Sequence, residues 1–211
     1  MGEFTFLSDK NRERYLGIIQ PVGNLLARLS VHPNILSLAG LILSMVAGVV
    51  YSTGAFFWAG WIVVLAGTCD VLDGQIARQT GKRSQFGAFF DSTLDRFGEV
   101  FIFLGLAWYF SDRHQSPWVV LLIILAITGS FMVSYTRARA EGLGIDCKVG
   151  LMQRPERVTL LIIGSLVAPI PVIGPVLIKL TLLLLAVLSN LTAVQRMFYV
   201  KNQILKDKQA L

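Results

Sequence analysis

The chain has 211 residues, of which 54% are hydrophobic and only 15% charged, and its mean hydropathy is +0.63. A water-soluble domain carries about a quarter of its residues as charges, so an aqueous globular enzyme and a disordered segment are excluded. With Cys69 and Cys147 its sole cysteines, so is a disulfide-stapled secreted module. In so apolar a chain the net charge of +6 reads as attraction to anionic headgroups, and no basic-aromatic motif points to nucleic acid. The expected fold class is all-α and integral to a membrane.

Residues Met1 to Leu16 hold Glu3, Asp9, Lys10, Arg12, Glu13 and Arg14 and lack the apolar core and small residues of a cleavable signal peptide, so they are expected to stay on the mature chain. From Tyr15 to Leu29, Tyr15, Ile18, Ile19, Val22, Leu25 and Leu26 recur at helical spacing, which predicts an amphipathic helix along the cytoplasmic interface. Residues 1–30 are thus an N-terminal segment with an interfacial helix. A bilayer core of about 30 Å needs roughly 20 helical residues, and six stretches qualify: 34–53, 56–78, 86–110, 117–138, 155–171 and 174–198. Residues 31–200 form the expected six-helix membrane domain and 201–211 a basic cytoplasmic tail, whose Lys201, Lys206 and Lys208 stay solvated.

Short connections make neighbouring helices antiparallel. With the N-terminus inside, only Arg113 and Lys179 among the basic residues fall toward the outer face, which predicts cytoplasmic N- and C-termini in a cell membrane. Trp58, Trp61, Trp108 and Trp118 then share the outer interfacial belt. His32 and His114 match no metal-ligand spacing and read as interfacial residues.

Five carboxylates fall inside predicted spans, Asp70 and Asp73 in the second and Asp91, Asp95 and Glu99 in the third, where each is costly unless paired, hydrated or metal-bound. Asp70 and Asp73 stand at i, i+3 and Asp91 and Asp95 at i, i+4, so each pair projects from one face of its helix. Counted from the turn near Lys82, all four lie roughly 10–20 Å along antiparallel helices at about 1.5 Å per residue. Facing carboxylate pairs suit a hard divalent cation, Mg²⁺ or Mn²⁺, which in turn binds a diphosphate. The plainer alternative is a structural cluster satisfied by Arg78 and Arg96. Gly74 follows Asp73 and Gly87 precedes Asp91 by one turn, leaving bare patches where a nucleotide or lipid backbone can approach; Ala77 continues that small face.

Asp70-Val-Leu-Asp73-Gly74-Gln-Ile-Ala77-Arg78, then Gly87, Asp91 and Asp95 at four-residue intervals, resembles the signature of the CDP-alcohol phosphotransferases. All eight specified positions are filled, and the six-span layout extends the likeness over most of the chain. The resemblance implies that Asp70, Asp73 and Asp91 bind a two-metal centre of Mg²⁺ (or Mn²⁺), with Asp95 close to the ions as the base that takes a proton from the acceptor hydroxyl. It implies attack on the lipid-bearing phosphorus of CDP-diacylglycerol, or of CDP-archaeol, with CMP leaving. Gly74, Ala77 and Arg78 would cradle the cytidine and diphosphate beside Gly87. Pro33, Asn34 and Ser37 look like the family's nucleotide-contacting segment, though Asn34 and Ser37 also make an ordinary helix start. A homodimer is also implied.

A second concentration, Arg137, Arg139, Arg154, Arg157 and Arg196, lies at the cytoplasmic ends of the fourth to sixth spans. Positive-inside bias accounts for part of it. Yet Gln153-Arg154-Pro155-Glu156-Arg157 sets two guanidinium forks on a helix start, which is an anion-binding arrangement. Together with Ser134-Tyr-Thr-Arg137-Ala-Arg139-Ala-Glu141, these segments look like the inositol-phosphate branch of the family. That implies inositol 1-phosphate as acceptor and a phosphatidylinositol-phosphate-type product. Glycerol 3-phosphate meets the same electrostatic demand, and serine or another polyol also stays open. A divalent-cation transporter is the rival of another class, for which midplane sites and related halves are expected; neither is evident.

Overall fold

The computed structural model describes residues 9–113 and 115–209, so His114 and Glu3 lie outside the described residues. Seven α-helices and no strand occur among the described residues: α1 (Asp9–Arg28), α2 (Pro33–Ser52), α3 (Phe56–Gln79), α4 (Gln85–Asp112), α5 (Pro117–Glu141), α6 (Arg154–Val167) and α7 (Ile173–Gln209). Local chemistry sets their starts. Pro33 and Pro117 stand where a fixed φ and a missing amide suit the first helical turn. His32 Nδ1 accepts from the Asn34 amide at 3.3 Å, so this histidine caps α2. Ser84 Oγ does the same for α4, accepting from Gly87 N at 2.9 Å.

Four helices, α2, α3, α5 and the Ile173–Lys206 stretch of α7, are long and apolar enough to cross a bilayer, and the chain is a membrane protein. The remaining two expected spans differ for separate reasons. α4 is 28 residues long, but Asp91, Asp95, Arg96 and Glu99 lie between its second turn and its middle, more charge than a lipid-facing helix tolerates. α6 has only 14 residues, roughly 21 Å of rise, because Pro169 and Pro171 withhold the amides that would carry it on to residue 171. At the chain's other end, α7 runs on through the basic tail as far as Gln209.

The six helices α2 to α7 close into a ring. α2 packs between α3 and α4, α4 against α5, α5 against α7, α7 against α6, and α6 back against α3. α1 lies outside this ring along α3, tied by Tyr15 Oη to Thr68 Oγ1 at 2.7 Å and by Gln79 Nε2 donating to Asn24 at 3.2 Å. Its opposite stripe, Ile18, Val22 and Leu25, is exposed, as is Leu29 just past the helix end.

One end of the ring is apolar. Tyr51, Ala59, Leu106, Phe110, Ile123 and Leu182 are buried there in one cluster drawn from five helices, and Leu161 adds the sixth. The Tyr51 hydroxyl, fully buried within this cluster, meets Ser165 Oγ at 2.6 Å. All four tryptophans sit at this end and face outward. α2 and α4 touch backbone to backbone: a Cβ on Gly105 would overlap the Gly48 carbonyl, and one on Gly48 the carbonyl of Phe101.

Because that contact leaves no side chain able to yield, Gly105→Ala is expected to cost about 1–3 kcal/mol by forcing α2 off α4. Thermal unfolding in detergent should register the loss, and an unchanged midpoint would show that the two helices do not approach so closely.

Candidate active site

The other half of the ring is polar, and its chemistry begins with helix spacing. The last turns of α3 present Asp70 and Asp73, and the second and third turns of α4 present Asp91 and Asp95. One carboxylate oxygen each from Asp70, Asp91 and Asp95 gathers within 4.8 Å of the others. Asp73 turns instead toward α2, where its Oδ2 accepts from Ser37 Oγ at 2.5 Å and both residues are buried. It remains within electrostatic reach of Asp70 and Asp91.

Three carboxylates so close repel one another, and the charge that relieves them is Arg154, the first residue of α6. Its Nη1 donates to Asp70 at 2.7 Å and its Nη2 to Asp95 at 2.5 Å. Arg96 adds a longer ion pair to Asp95 at 3.6 Å while donating to the Ser92 carbonyl. Of the two arginines considered from the sequence as counter-ions, Arg96 therefore takes part, whereas Arg78 bends back over Gly74. The donor set fits a divalent cation: three hard carboxylate oxygens converge, and a guanidinium stands in for the positive charge they require. Asp73, bonded to its serine, is not among the three that converge.

The small residues mark the site's open side. A Cβ on Gly74 would meet only the Arg78 guanidinium, at 3.6 Å, and one on Gly87 would press on Ser84 Oγ at 3.0 Å and approach Asn34 Oδ1 at 3.6 Å. The bare faces of both glycines thus point at residues expected to hold the nucleotide. Ala77 is half-buried beside them, Arg78 is exposed, and Pro33 is buried with Ser37 on the first turns of α2.

The five arginines expected around the acceptor have different surroundings. Arg137 pairs with Glu141 at 2.8 Å, and Arg139 is exposed at the end of α5. Arg154 joins the aspartates. Arg157 is buried and donates to Glu99 at 2.9 Å and to the Met152 carbonyl at 3.1 Å. Arg196, only 2% exposed, donates to the carbonyls of Val149 at 2.8 Å and Val133 at 2.5 Å. Arg137 and Arg157 each lie near enough to Arg196 to repel it, a concentration of positive charge that an anion would relieve.

Sequence reasoning gave Glu99 no partner. Here it is buried between Arg157 and Ser130, whose Oγ donates to it in a short bond. The signal was present: Asp91, Asp95 and Glu99 continue one i, i+4 stripe along α4. Thr192 was missed as well; its Oγ1 accepts from Met152 N at 3.1 Å and so pins the segment before α6 to α7.

Residues 30–198 match the sequence model of the CDP-alcohol phosphatidyltransferases. The chain belongs to this family. It is accordingly an enzyme, which sets aside the transporter alternative. Among curated relatives, it is 31% identical over 192 residues to the phosphatidylinositol phosphate synthase of Mycolicibacterium smegmatis, covering 90% of this chain and 86% of that one. It is 35% identical to the archaetidylinositol phosphate synthase of Methanothermobacter thermautotrophicus, covering 86% and 88%. Its fold matches the crystal structure of Mycobacterium tuberculosis phosphatidylinositol phosphate synthase with CDP-DAG bound, with a TM-score of 0.80, 30% identity and coverage of 87% and 93%. A second structure of that mycobacterial enzyme, in complex with manganese and citrate, matches with a TM-score of 0.79.

If Arg154 is the counter-charge of the carboxylate cluster, removing it should hurt most when no metal is present. Arg154→Gln is expected to lower the melting midpoint in chelator by roughly 5 °C, about 1–2 kcal/mol in a chain of this size, and to lose most of that penalty in Mn²⁺. An equal penalty with and without Mn²⁺ would refute the role.

Proposed function

We propose that this phosphotransferase moves the phosphatidyl, or archaetidyl, group of a CDP-activated lipid onto inositol 1-phosphate, releasing CMP and forming a phosphatidylinositol-phosphate-type lipid. The observation that carries the reading is Arg154, which stands between the carboxylate cluster on α3 and α4 and the arginine concentration around α6 and α7. The names of the relatives at 31% and 35% identity support the same acceptor.

Asp70, Asp73, Asp91 and Asp95 would hold Mg²⁺ or Mn²⁺, in a two-ion centre by the family resemblance. When bound, the cations neutralise the diphosphate and the charge that develops on phosphorus. The chain's own groups do the rest. Gly74 and Gly87 let the nucleotide approach closely, and Ala77, Arg78, Pro33, Asn34 and Ser37 flank it. Arg137, Arg139, Arg154 and Arg196, with Arg157 behind them, receive the acceptor's phosphate and orient a ring hydroxyl toward the donor. Asp95 takes that hydroxyl's proton as the oxygen forms its bond to the lipid-bearing phosphorus. The bond from that phosphorus to the CMP oxygen breaks, and CMP leaves with the electron pair.

The setting follows from charge and length. Residues 31–200 form a six-span catalytic domain in which α4 and α6 join the four apolar helices within the bilayer. The exposed stripe of α1 rests in the headgroup region, and the basic end faces the cytoplasm with both termini. The assembly is a homodimer, as the resemblance implies.

Purified protein with CDP-diacylglycerol and Mg²⁺ should release CMP with inositol 1-phosphate and not with free inositol or glycerol 3-phosphate. Release with glycerol 3-phosphate alone would overturn the acceptor while keeping the aspartate chemistry. Asp95→Asn is expected to lower kcat by about 100-fold or more, the usual scale of a lost general base, with CDP-lipid binding retained. Turnover at the wild-type rate would reject Asp95 as the base.

A further inference from the structure

α4 and α6 are not packed neighbours in the ring, yet two charged rungs connect them. The first is Asp95 with Arg154 and the second is Glu99 with Arg157. The rungs repeat at i, i+4 on α4 and i, i+3 on α6, so each follows the other by one helical turn. They differ in environment. The side chains of Arg154 and Asp95 keep 27% and 13% of their exposure, whereas those of Arg157 and Glu99 keep only 5% and 9%. A pair that keeps some exposure to solvent is released at less cost than a buried pair, which leaves an uncompensated charge when it loses one member. The outer rung is therefore the more readily exchanged of the two.

The inner rung also holds the backbone from which Arg154 projects. Arg157 Nη1 donates to the Met152 carbonyl at 3.1 Å, and the Met152 amide is held from the other side by Thr192. Ser130 on α5 completes the ligation of Glu99. Glu99 thus draws α4, α5, α6 and the segment entering α6 to one point, two residues before Arg154 and one turn beyond Asp95.

We propose that Glu99 is a positioning residue for the acceptor: through Arg157 and the Met152 carbonyl it fixes the first turn of α6 so that Arg154 is aimed at the reaction centre. Glu99 touches neither substrate nor metal ligand in this assignment. Arg157 then belongs to the scaffold of the phosphate pocket and not to its contact surface. The inference rests on the proposed function for the identity of the acceptor but not for the geometry of the rungs.

Glu99→Gln preserves shape and the ability to accept from Ser130 while removing the charge. In the purified full-length protein it should raise the acceptor KM about tenfold, leave kcat within about threefold, and leave the KM for CDP-lipid unchanged. In metal-stripped protein the same variant should bind Mn²⁺ more tightly by about threefold or more, because Arg154 is held less firmly on Asp70 and Asp95. Electron paramagnetic resonance of free Mn²⁺ reads this without turnover. Its melting midpoint falls, so the double variant Glu99→Gln, Arg157→Met is measured beside it. With both charges gone the midpoint should recover, while the acceptor KM stays raised because the Met152 carbonyl has lost its donor.

If the double variant restores acceptor KM along with stability, the pair is structural only and the proposal fails. It fails too if Glu99→Gln leaves both acceptor KM and Mn²⁺ affinity unchanged, or if it lowers the acceptor KM, which would make Arg157 a direct phosphate ligand released by the change. Should the wild-type protein use glycerol 3-phosphate instead, the acceptor reading falls and the same comparisons are made with that alcohol. Should it release CMP with none, the Mn²⁺ affinity alone decides.

Discussion

The carboxylates that α3 and α4 bring inside the ring of helices need positive charge or donors, and that demand organises the molecule. Asp73 takes Ser37, Asp70 and Asp95 share Arg154, and Glu99 takes Arg157 and Ser130. Each link joins different helices, α2 to α3, α3 and α4 to α6, and α4 to α5 and α6. At a low dielectric such links are strong when complete and expensive when broken. The polar half of the ring thus adds charge matching to the apolar packing of residues such as Ile76, Val133 and Met152.

The apolar half works by the opposite means. Gly48 and Gly105 bring α2 and α4 into backbone contact, and a cluster drawn from all six helices fills the centre. Lipid tails are as apolar as leucine, so helices there gain from close packing more than from exclusion of water. A rigid apolar end lets the polar end hold like charges near one another, since four aspartates brought together on helices free to separate would move apart.

Much of this was legible in the sequence. The helix starts at Pro33, Phe56, Gln85 and Pro117 fall within a residue of the expected spans, because caps, prolines and apolar length are local signals. The aspartate faces were legible too, since i, i+3 and i, i+4 spacing fixes direction on a helix. The arginines were not. Arg154 meets Asp70 and Asp95 across 84 and 59 residues of chain, and no local rule tells a guanidinium which distant carboxylate it will face. Charge placed all five at one end of the molecule without giving their partners, which in the fold are Glu99 for Arg157 and the carbonyls of Val149 and Val133 for Arg196.

The short α6 looks at first like a failed span, but the depth at which it begins serves the site. Its first residue meets Asp70 and Asp95, while its far end meets Tyr51 through Ser165 at the apolar end. On α3 Asp70 lies nine residues before the helix ends, and on α4 Asp95 lies ten residues after the start. α6 therefore begins roughly 15 Å deeper than its neighbours finish. A full-length helix would have carried ordinary turns past the aspartates and buried them behind a wall. By starting at their depth, α6 sets its free amides, its proline and the Arg154 fork at the level of the carboxylates. The segment entering it must then descend into the ring, and Arg196 and Thr192 supply the hydrogen bonds its carbonyl and amide would otherwise lack. The buried Arg196, donating to the Val149 and Val133 carbonyls, is what allows a loop to lie where an unpaired backbone would be costly.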